Sequence, residues 1–324
     1  MARHSELTKV AGTDLEISKL SLGTAPLGGL FKSVSEAESD AMIDLAITSG
    51  INYIDTAPLY GYGAAERRVG RAVAGRKSGV TISTKVGRPL RPGTNLETDK
   101  YPDADPGLET YYDYSESGIR DGLEASLKRL NLESIEIAYL HDAQDCVQEA
   151  IEVAYPVLDQ MRSEGIVKAI GLGMNWCPAS IEIIKNTDLN IALIAGRFTL
   201  LDQSAQDELY PLALKKNVSI VAAGVYNTGV LANPVDGALF DYAPASKEII
   251  AKALEIRDFL KDFNVPLTAA AMQFPLRHPA VVTVLNGAGT VAELEANIAA
   301  FDFELPANLW PELERADLIA PVNI

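Results

Sequence analysis

The sequence predicts an α/β fold, a closed (β/α)8 TIM barrel, and three observations carry that expectation. Short β-branched apolar runs alternate with longer amphipathic stretches about eight times along the 324 residues, the rhythm of parallel strands joined by helical crossovers. No linker divides the chain, so one domain over residues 1–324 is expected, at a size where a barrel forms a single unit. The GxGxxG fingerprint of an open dinucleotide-binding sheet is absent after the first strand, where SLGTAPLGG stands instead, and this ranks a doubly wound sheet second.

In chain order the strand runs are KLSLGTA (19–25), INYIDTA (51–57), VTISTKV (80–86), IEIAYLH (135–141), VKAIGLG (167–173), IALIAGR (191–197), SIVAAGV (219–225) and VVTVLNG (281–287). Closure of eight strands removes every sheet edge, in keeping with runs of which none is marked as a border. The first helical pattern, SEAESDAMIDLAITSG, opens on Ser35 with Glu38 at capping-box spacing and stops at Gly50. Others are SESGIRDGLEASLKRLN, QEAIEVAYPVLDQMRSEG, KEIIAKALEIRDFLKDFN and TVAELEANIAAF. One connection breaks the rhythm: residues 87–115 are rich in Pro, Gly, Asp and Tyr and follow the third strand, which places them on the face where barrel active sites are built.

Charge narrows the function classes. The chain carries 28 Lys and Arg against 44 Asp and Glu, a formal charge of -16, so a phosphate backbone or an anionic membrane surface is repelled. The start, MARHSELTKV, has no apolar core behind its basic residues, and no run approaches the roughly 18 apolar residues of a membrane span. Cys146 and Cys177 stand far apart and outside any CxxC spacing, which suggests neither a disulfide framework nor a zinc site. A cytoplasmic protein without nucleic-acid or membrane partners is expected.

Catalytic groups of barrels collect at the carboxyl ends of the strands, because apolar layers fill the lumen. That filter selects Asp55 and nearby Tyr60 after the second strand, Lys85 on the third, His141 on the fourth and Asn175 after the fifth. The set suits proton transfer coupled to hydride transfer, with no metal required. A phenol with a pKa near ~10 is a weak base at neutral pH, but an adjacent ammonium favours its phenolate. Lys85 is expected to supply that charge and lower the Tyr60 pKa, with Asp55 holding the lysine and His141 orienting the substrate oxygen. Each residue also has a plain structural reading: a rim charge for Lys85, a turn cap before Pro58 for Asp55, a buried hydrogen-bonded imidazole for His141.

These residues sit in motifs that resemble the aldo-keto reductase family over nearly the whole chain: GTAPLGG (23–29), DTAPLYG (55–61) running into GAAERRVGRAV, STKVG (83–87) and YLHDAQD (139–145). By motif the family's catalytic tetrad maps onto Asp55, Tyr60, Lys85 and His141. The resemblance implies a nicotinamide cofactor lying across the barrel mouth, with Tyr60 as general acid in reduction and general base in oxidation.

It also implies cofactor contacts. Gly23 and Thr24 fall on the cofactor side, and Asn175 matches the carboxamide-binding asparagine, with Met174 in place of the usual serine. The family's glutamine and stacking aromatic fall near Ala195 and Ala223, so Tyr226 of the loop GVYNTGVL is a candidate stacking residue, beside Gly224, Asn227 and Gly229. The segment from Asn286 and Gly287 through Gly289 and Thr290 leads into a helix N-terminus suited to an anion. No Lys or Arg stands between Asn286 and Asn297, and Glu293 takes the place where a 2'-phosphate partner is usual. NAD is the expected cofactor, with NADP possible.

Within the family, GTAPLGGLF, AGRFTLLDQ (195–203) and YLHDAQD resemble bacterial aldose 1-dehydrogenases of L-fucose, D-threo-aldose or L-galactose, and the similar pyridoxal 4-dehydrogenases. The implied small-molecule substrate is a cyclic hemiacetal, a sugar or pyridoxal, handled by a monomer or small homo-oligomer. Candidate walls for its ring are Phe31, Tyr60, Trp176 and Tyr226, with Tyr111, Tyr112 and Tyr114 of the long loop. Competing classes are a catalytically silent nicotinamide-binding barrel and an isomerase or aldolase using Lys85 as a Schiff-base nucleophile.

Overall fold

A computed structural model describes all residues except 1, 76–78, 95–99, 103 and 105–106. The eight runs form eight parallel strands: β1 (Leu20–Gly23), β2 (Tyr53–Asp55), β3 (Thr81–Val86), β4 (Ile135–His141), β5 (Val167–Met174), β6 (Ile191–Ala195), β7 (Ser219–Ala223) and β8 (Val281–Gly287). They pair in chain order, and β8 closes on β1 with Gly287 opposite Gly23. The fold class expected from the alternation is the one observed.

Successive strand residues point to opposite faces, and this decides what enters the lumen. On β2, β3 and β4 the residues Tyr53 and Asp55, Ser83 and Lys85, and Ile137, Tyr139 and His141 share one parity. Their neighbours Ile54, Ile82, Val86, Ala138 and Leu140 join the apolar layer that packs against the helices. The lumen itself holds Tyr53, Ile137, Tyr139, Ala169, Ile191, Leu193, Val221 and Leu285. An N-terminal hairpin (Leu7–Lys9 with Glu16–Ser18) closes its floor with Val10, Leu15 and Ile17. Gly171 of β5 belongs to this packing, since a Cβ there would lie 2.6 Å from the Tyr139 ring.

The helices begin where the side chains allow. Ser35 caps α1 (Glu36–Ser49) in a capping box with Glu38, and Gly50 ends it in the left-handed region at φ 95°. Next come α2 (Ala64–Val73) and α3 (Glu116–Leu130), the latter capped by Ser115. The pattern QEAIEVAYPVLDQMRSEG does not form one continuous α-helix. A π turn (Ala150–Ala154) precedes α4 (Tyr155–Ser163), because Pro156 has no N–H with which to continue the i to i−4 ladder. Further along, Ser246 caps α5 (Lys247–Lys261) and Thr290 caps α6 (Val291–Asp302). In the connection after β3, Leu90–Pro92 pairs antiparallel with Leu108–Thr110 at the carboxyl end of the barrel. No helix among the described residues is long and apolar enough to cross a membrane.

Candidate active site

Strand parity brings a buried ion pair to the mouth. Lys85 Nζ donates to Asp55 Oδ2 at 2.6 Å and to the Thr56 carbonyl at 2.9 Å, with the two side chains 2% and 1% exposed. The second carboxylate oxygen, Asp55 Oδ1, accepts from Ser83 Oγ at 2.7 Å. Ser83 in turn lies 3.0 Å from the Tyr53 hydroxyl, which lies 2.8 Å from that of Tyr139. A lumen network thus fixes both oxygens of Asp55, as burying a carboxylate requires.

Tyr60 stands above this pair, its ring centroid 4.8 Å from Lys85 Nζ and 6.3 Å, edge to face, from the His141 ring. Two glycines allow its loop to touch the loop after β1. A Cβ on Gly28 would fall 2.5 Å from the Tyr60 carbonyl carbon, and one on Gly61, whose φ is +61°, would fall 2.2 Å from the Gly28 oxygen. The His141 backbone is fixed from behind, its carbonyl accepting from the buried Tyr114 hydroxyl.

The electrostatics correct one expectation. Burial raises the Tyr60 phenol well above its ordinary pKa, and the Asp55 carboxylate pushes the same way. Lys85 Nζ, though 4.8 Å from the ring centroid, does not offset them. Tyr60 is therefore a protonated phenol at neutral pH. His141 is neutral for a related reason: burial, helped by the Lys85 and Arg88 charges, outweighs Asp142 and pushes its pKa down to about 3.

Tyr60, Lys85 and His141 line a cleft of about 260 Å³. It continues past Tyr60, Asn175, Leu193 and Ala195 into a groove of about 520 Å³ that runs across the mouth to the start of α6. A protonated phenol, a lysine–carboxylate pair and a neutral imidazole around one cleft can hold a carbonyl or alcohol oxygen and exchange a proton with it. A model of the aldo/keto reductase family matches residues 19–318 of this chain.

The chain belongs to the aldo/keto reductase family. It is 36% identical to pyridoxal 4-dehydrogenase of Microbacterium luteolum, over 98% of both chains. To D-threo-aldose 1-dehydrogenase of a Pseudomonas species it is 37% identical, over 95% of this chain and 97% of that one. The holo form of an aldo-keto reductase from Bacillus halodurans matches its fold with a TM-score of 0.77 at 25% identity, over 99% of this chain and 98% of that chain. The protein is an oxidoreductase enzyme of this family, whose members use nicotinamide cofactors.

The groove of this aldo/keto reductase fits such a cofactor. Asn286 Nδ2 and Asn227 Oδ1 are buried with no hydrogen-bond partner among the described residues, and both side chains line the groove. Such orphaned atoms carry a desolvation cost that a polar ligand would relieve. Gly23, Thr24, Asn175, Gly224, Tyr226 and Gly229 border it. Gly287, Gly289, Thr290 and Glu293 close the far end. A Cβ on Gly287 would lie 2.9 Å from Pro26, so backbone comes close there.

Several of the expected contacts differ in detail. Asn297 does not line the groove; it stands behind the wall, donating to the Gly287 carbonyl at 3.3 Å and accepting from the Tyr226 hydroxyl at 3.4 Å. That bond ties Tyr226 to α6, and the residue lines the groove that Tyr60 also borders. Thr24 lines the groove, but its N–H and hydroxyl both donate to the Asp55 carbonyl, at 3.0 and 2.9 Å. Phe31 borders the groove, while Trp176 and Tyr112 line neither cavity. Parity explains Trp176: Asn175 continues the inward set of Ala169, Gly171 and Gly173, so the next residue points outward and is 55% exposed. Tyr112 instead covers the Arg88 guanidinium, 5.0 Å from its ring centroid, and Tyr111 does the same to Arg91 at 4.4 Å.

Sequence reasoning passed over the cleft's other polar residues. Arg88, Lys100, Tyr101, Asp142, Gln144 and Tyr242 all face it. It also passed over Arg197, whose Nε donates to the Asn175 carbonyl at 2.8 Å while the guanidinium pairs with Asp202 at 2.9 Å and Asp241 at 2.7 Å. The signals were present in YLHDAQD and AGRFTLLDQ, where Asp142 and Arg197 are the charged residues nearest the strand ends.

Proposed function

We propose that this aldo/keto reductase is an NAD-preferring dehydrogenase that oxidises the anomeric hydroxyl of a small aldose, such as L-fucose, D-arabinose or L-galactose, to a lactone. The observation that carries this reading is the compact cleft in which Tyr60 and neutral His141 stand over the Lys85–Asp55 pair, with a wall of charged and polar side chains. A sugar ring needs both: a proton acceptor at one carbon and hydrogen-bonding groups around it. The imidazole of His141 holds the C1 oxygen, and Tyr60 takes its proton. A nicotinamide held in the groove would supply the hydride acceptor for C1, which would become the lactone carbonyl with the ring oxygen still attached. In this direction the Tyr60 phenolate is the base and ends as the phenol, beside the Lys85 ammonium that Asp55 fixes. The similarity to a D-threo-aldose 1-dehydrogenase supports an aldose. The similarity to a pyridoxal 4-dehydrogenase supports pyridoxal, also a cyclic hemiacetal, as the second reading.

A panel of L-fucose, L-galactose, D-arabinose and pyridoxal with NAD tests this by the rate of NADH formation. At least one aldose is expected to turn over. Reduction of butanal with NADH, together with no oxidation of any sugar, would overturn the reading; oxidation of pyridoxal alone would transfer it to the second.

The preference for NAD rests on Glu293. Its carboxylate Oε2 accepts from the Gly289 N–H at 2.7 Å while its own N–H donates to the Thr290 hydroxyl. An acidic group thus already occupies the anion-attracting start of α6. A 2'-phosphate there would meet like charge, and no arginine or lysine stands between Asn286 and Asn297 to pair with it. Calorimetric titration is expected to give tighter binding of NADH than NADPH, and Glu293→Lys should narrow the gap by about tenfold. Equal affinity of the unaltered protein for the two would refute the role given to Glu293.

A further inference from the structure

The residue after His141 has no part in the proton transfer, yet its carboxylate faces the same cleft. Asp142 leaves β4 in the left-handed region at φ 54°, a conformation aspartate tolerates better than most residues. Its N–H donates to the Gly173 carbonyl at 3.0 Å, which fixes the turn. Asp142 Oδ2 accepts from Arg88 Nη1 at 2.6 Å and lies 3.7 Å from His141 Nε2. Asp142 Oδ1 accepts no hydrogen bond from any described residue, and the side chain is 25% exposed. Arg88 is held in turn beneath the Tyr112 ring. Beside the pair, Gln144 borders the cleft with a buried amide oxygen that has no partner among the described residues.

A carboxylate is an acceptor without donors, so what satisfies Oδ1 must bring a proton. Burial works to raise the Asp142 pKa, but the neighbouring His141 imidazole, the Arg88 guanidinium that donates to it and the Lys85 ammonium outweigh it and hold the group below its ordinary value. A hydroxyl is the donor that matches. His141 and Asp142 line one cleft, with Asp142 Oδ2 3.7 Å from His141 Nε2, so with a reacting oxygen at His141 a hydroxyl on the adjacent carbon would be within reach of Asp142. We propose that Asp142, positioned by Arg88, is a specificity-determining residue that binds the hydroxyl adjacent to the reacting carbon, selecting substrates with vicinal hydroxyls. The inference rests on the hemiacetal reading given above.

Kinetics with the best aldose of the panel and its 2-deoxy analogue test it, in the unaltered enzyme and in Asp142→Asn. A hydrogen bond to a charged group corresponds to about a tenfold to hundredfold preference, and the unaltered enzyme should show that preference in kcat/KM. In Asp142→Asn the ratio of the two sugars should fall toward one, mostly through the KM of the full sugar. Equal kcat/KM for both sugars in the unaltered enzyme would overturn the inference without any variant, so it stays testable if Asp142→Asn fails to fold. A variant that lowers both sugars by the same factor would also overturn it, since that pattern belongs to a structural role or to disturbance of His141. If neither sugar is oxidised while butanal is reduced, the hemiacetal reading itself fails and takes this inference with it. Failure of the inference alone keeps both sugars as substrates.

Discussion

Tyr60→Phe is expected to lower kcat for both oxidation and reduction by roughly 10² to 10⁴, the span usual for loss of a positioned acid or base. Cofactor Kd should change little. The substitution is clean because the Tyr60 hydroxyl makes no hydrogen bond to any described residue, so its removal strands no buried partner. The raised pKa of Tyr60 fixes the sign of the pH dependence. Reduction needs the phenol protonated, so its rate stays level through neutral pH and declines only above the raised pKa. Oxidation needs the phenolate, whose fraction at neutral pH is small and grows about tenfold per pH unit. Oxidation should therefore accelerate into the alkaline range. Stopped-flow single turnovers separate this from slow product release. A Tyr60→Phe enzyme with ordinary single-turnover rates would dismiss Tyr60 as the proton-transfer residue.

Lys85→Met is expected to remove activity and also to destabilise the fold by about 3–5 kcal/mol, because it leaves the Asp55 carboxylate buried with its opposite charge gone. Ser83 remains as one donor and does not replace an ammonium. Thermal melting followed by circular dichroism reads the loss. The double variant Lys85→Met with Asp55→Leu removes both charges and should recover most of the stability while staying inactive, since a buried pair adds little over an apolar substitute. This separates the two uses of the pair. Should Lys85→Met melt at the temperature of the unaltered protein, the pair is not the buried, tightly coupled one described.

The barrel was legible because its cause is local. Period-two alternation in INYIDTA, VTISTKV and IEIAYLH places one side of each strand in the lumen, and three such strands in a row carry Asp55, Lys85 and His141 on that side. Capping at Ser35 and Ser115, and the stop at Gly50, follow from short-range hydrogen bonds. Where the reading failed, the cause lay outside the local pattern. Pro156 sits within an apolar periodicity that looks unbroken, and its missing N–H asserts itself as a π turn. Trp176 and Tyr112 suggested a substrate wall by residue type, but strand parity turns the first outward and a guanidinium claims the second.

From its residues alone this protein determines a closed barrel, an aldo/keto reductase tetrad at one mouth and the acidic start of its last long helix, since each depends on parity or on neighbours a few positions away. Only the tertiary structure decided the charge state of Tyr60, for burial and the distance from Asp55 are properties of the closed lumen. The same holds for Asp142, Arg88 and Arg197. What these charged side chains do depends on which partners three-dimensional packing brings within hydrogen-bonding distance, and linear order does not contain that distance.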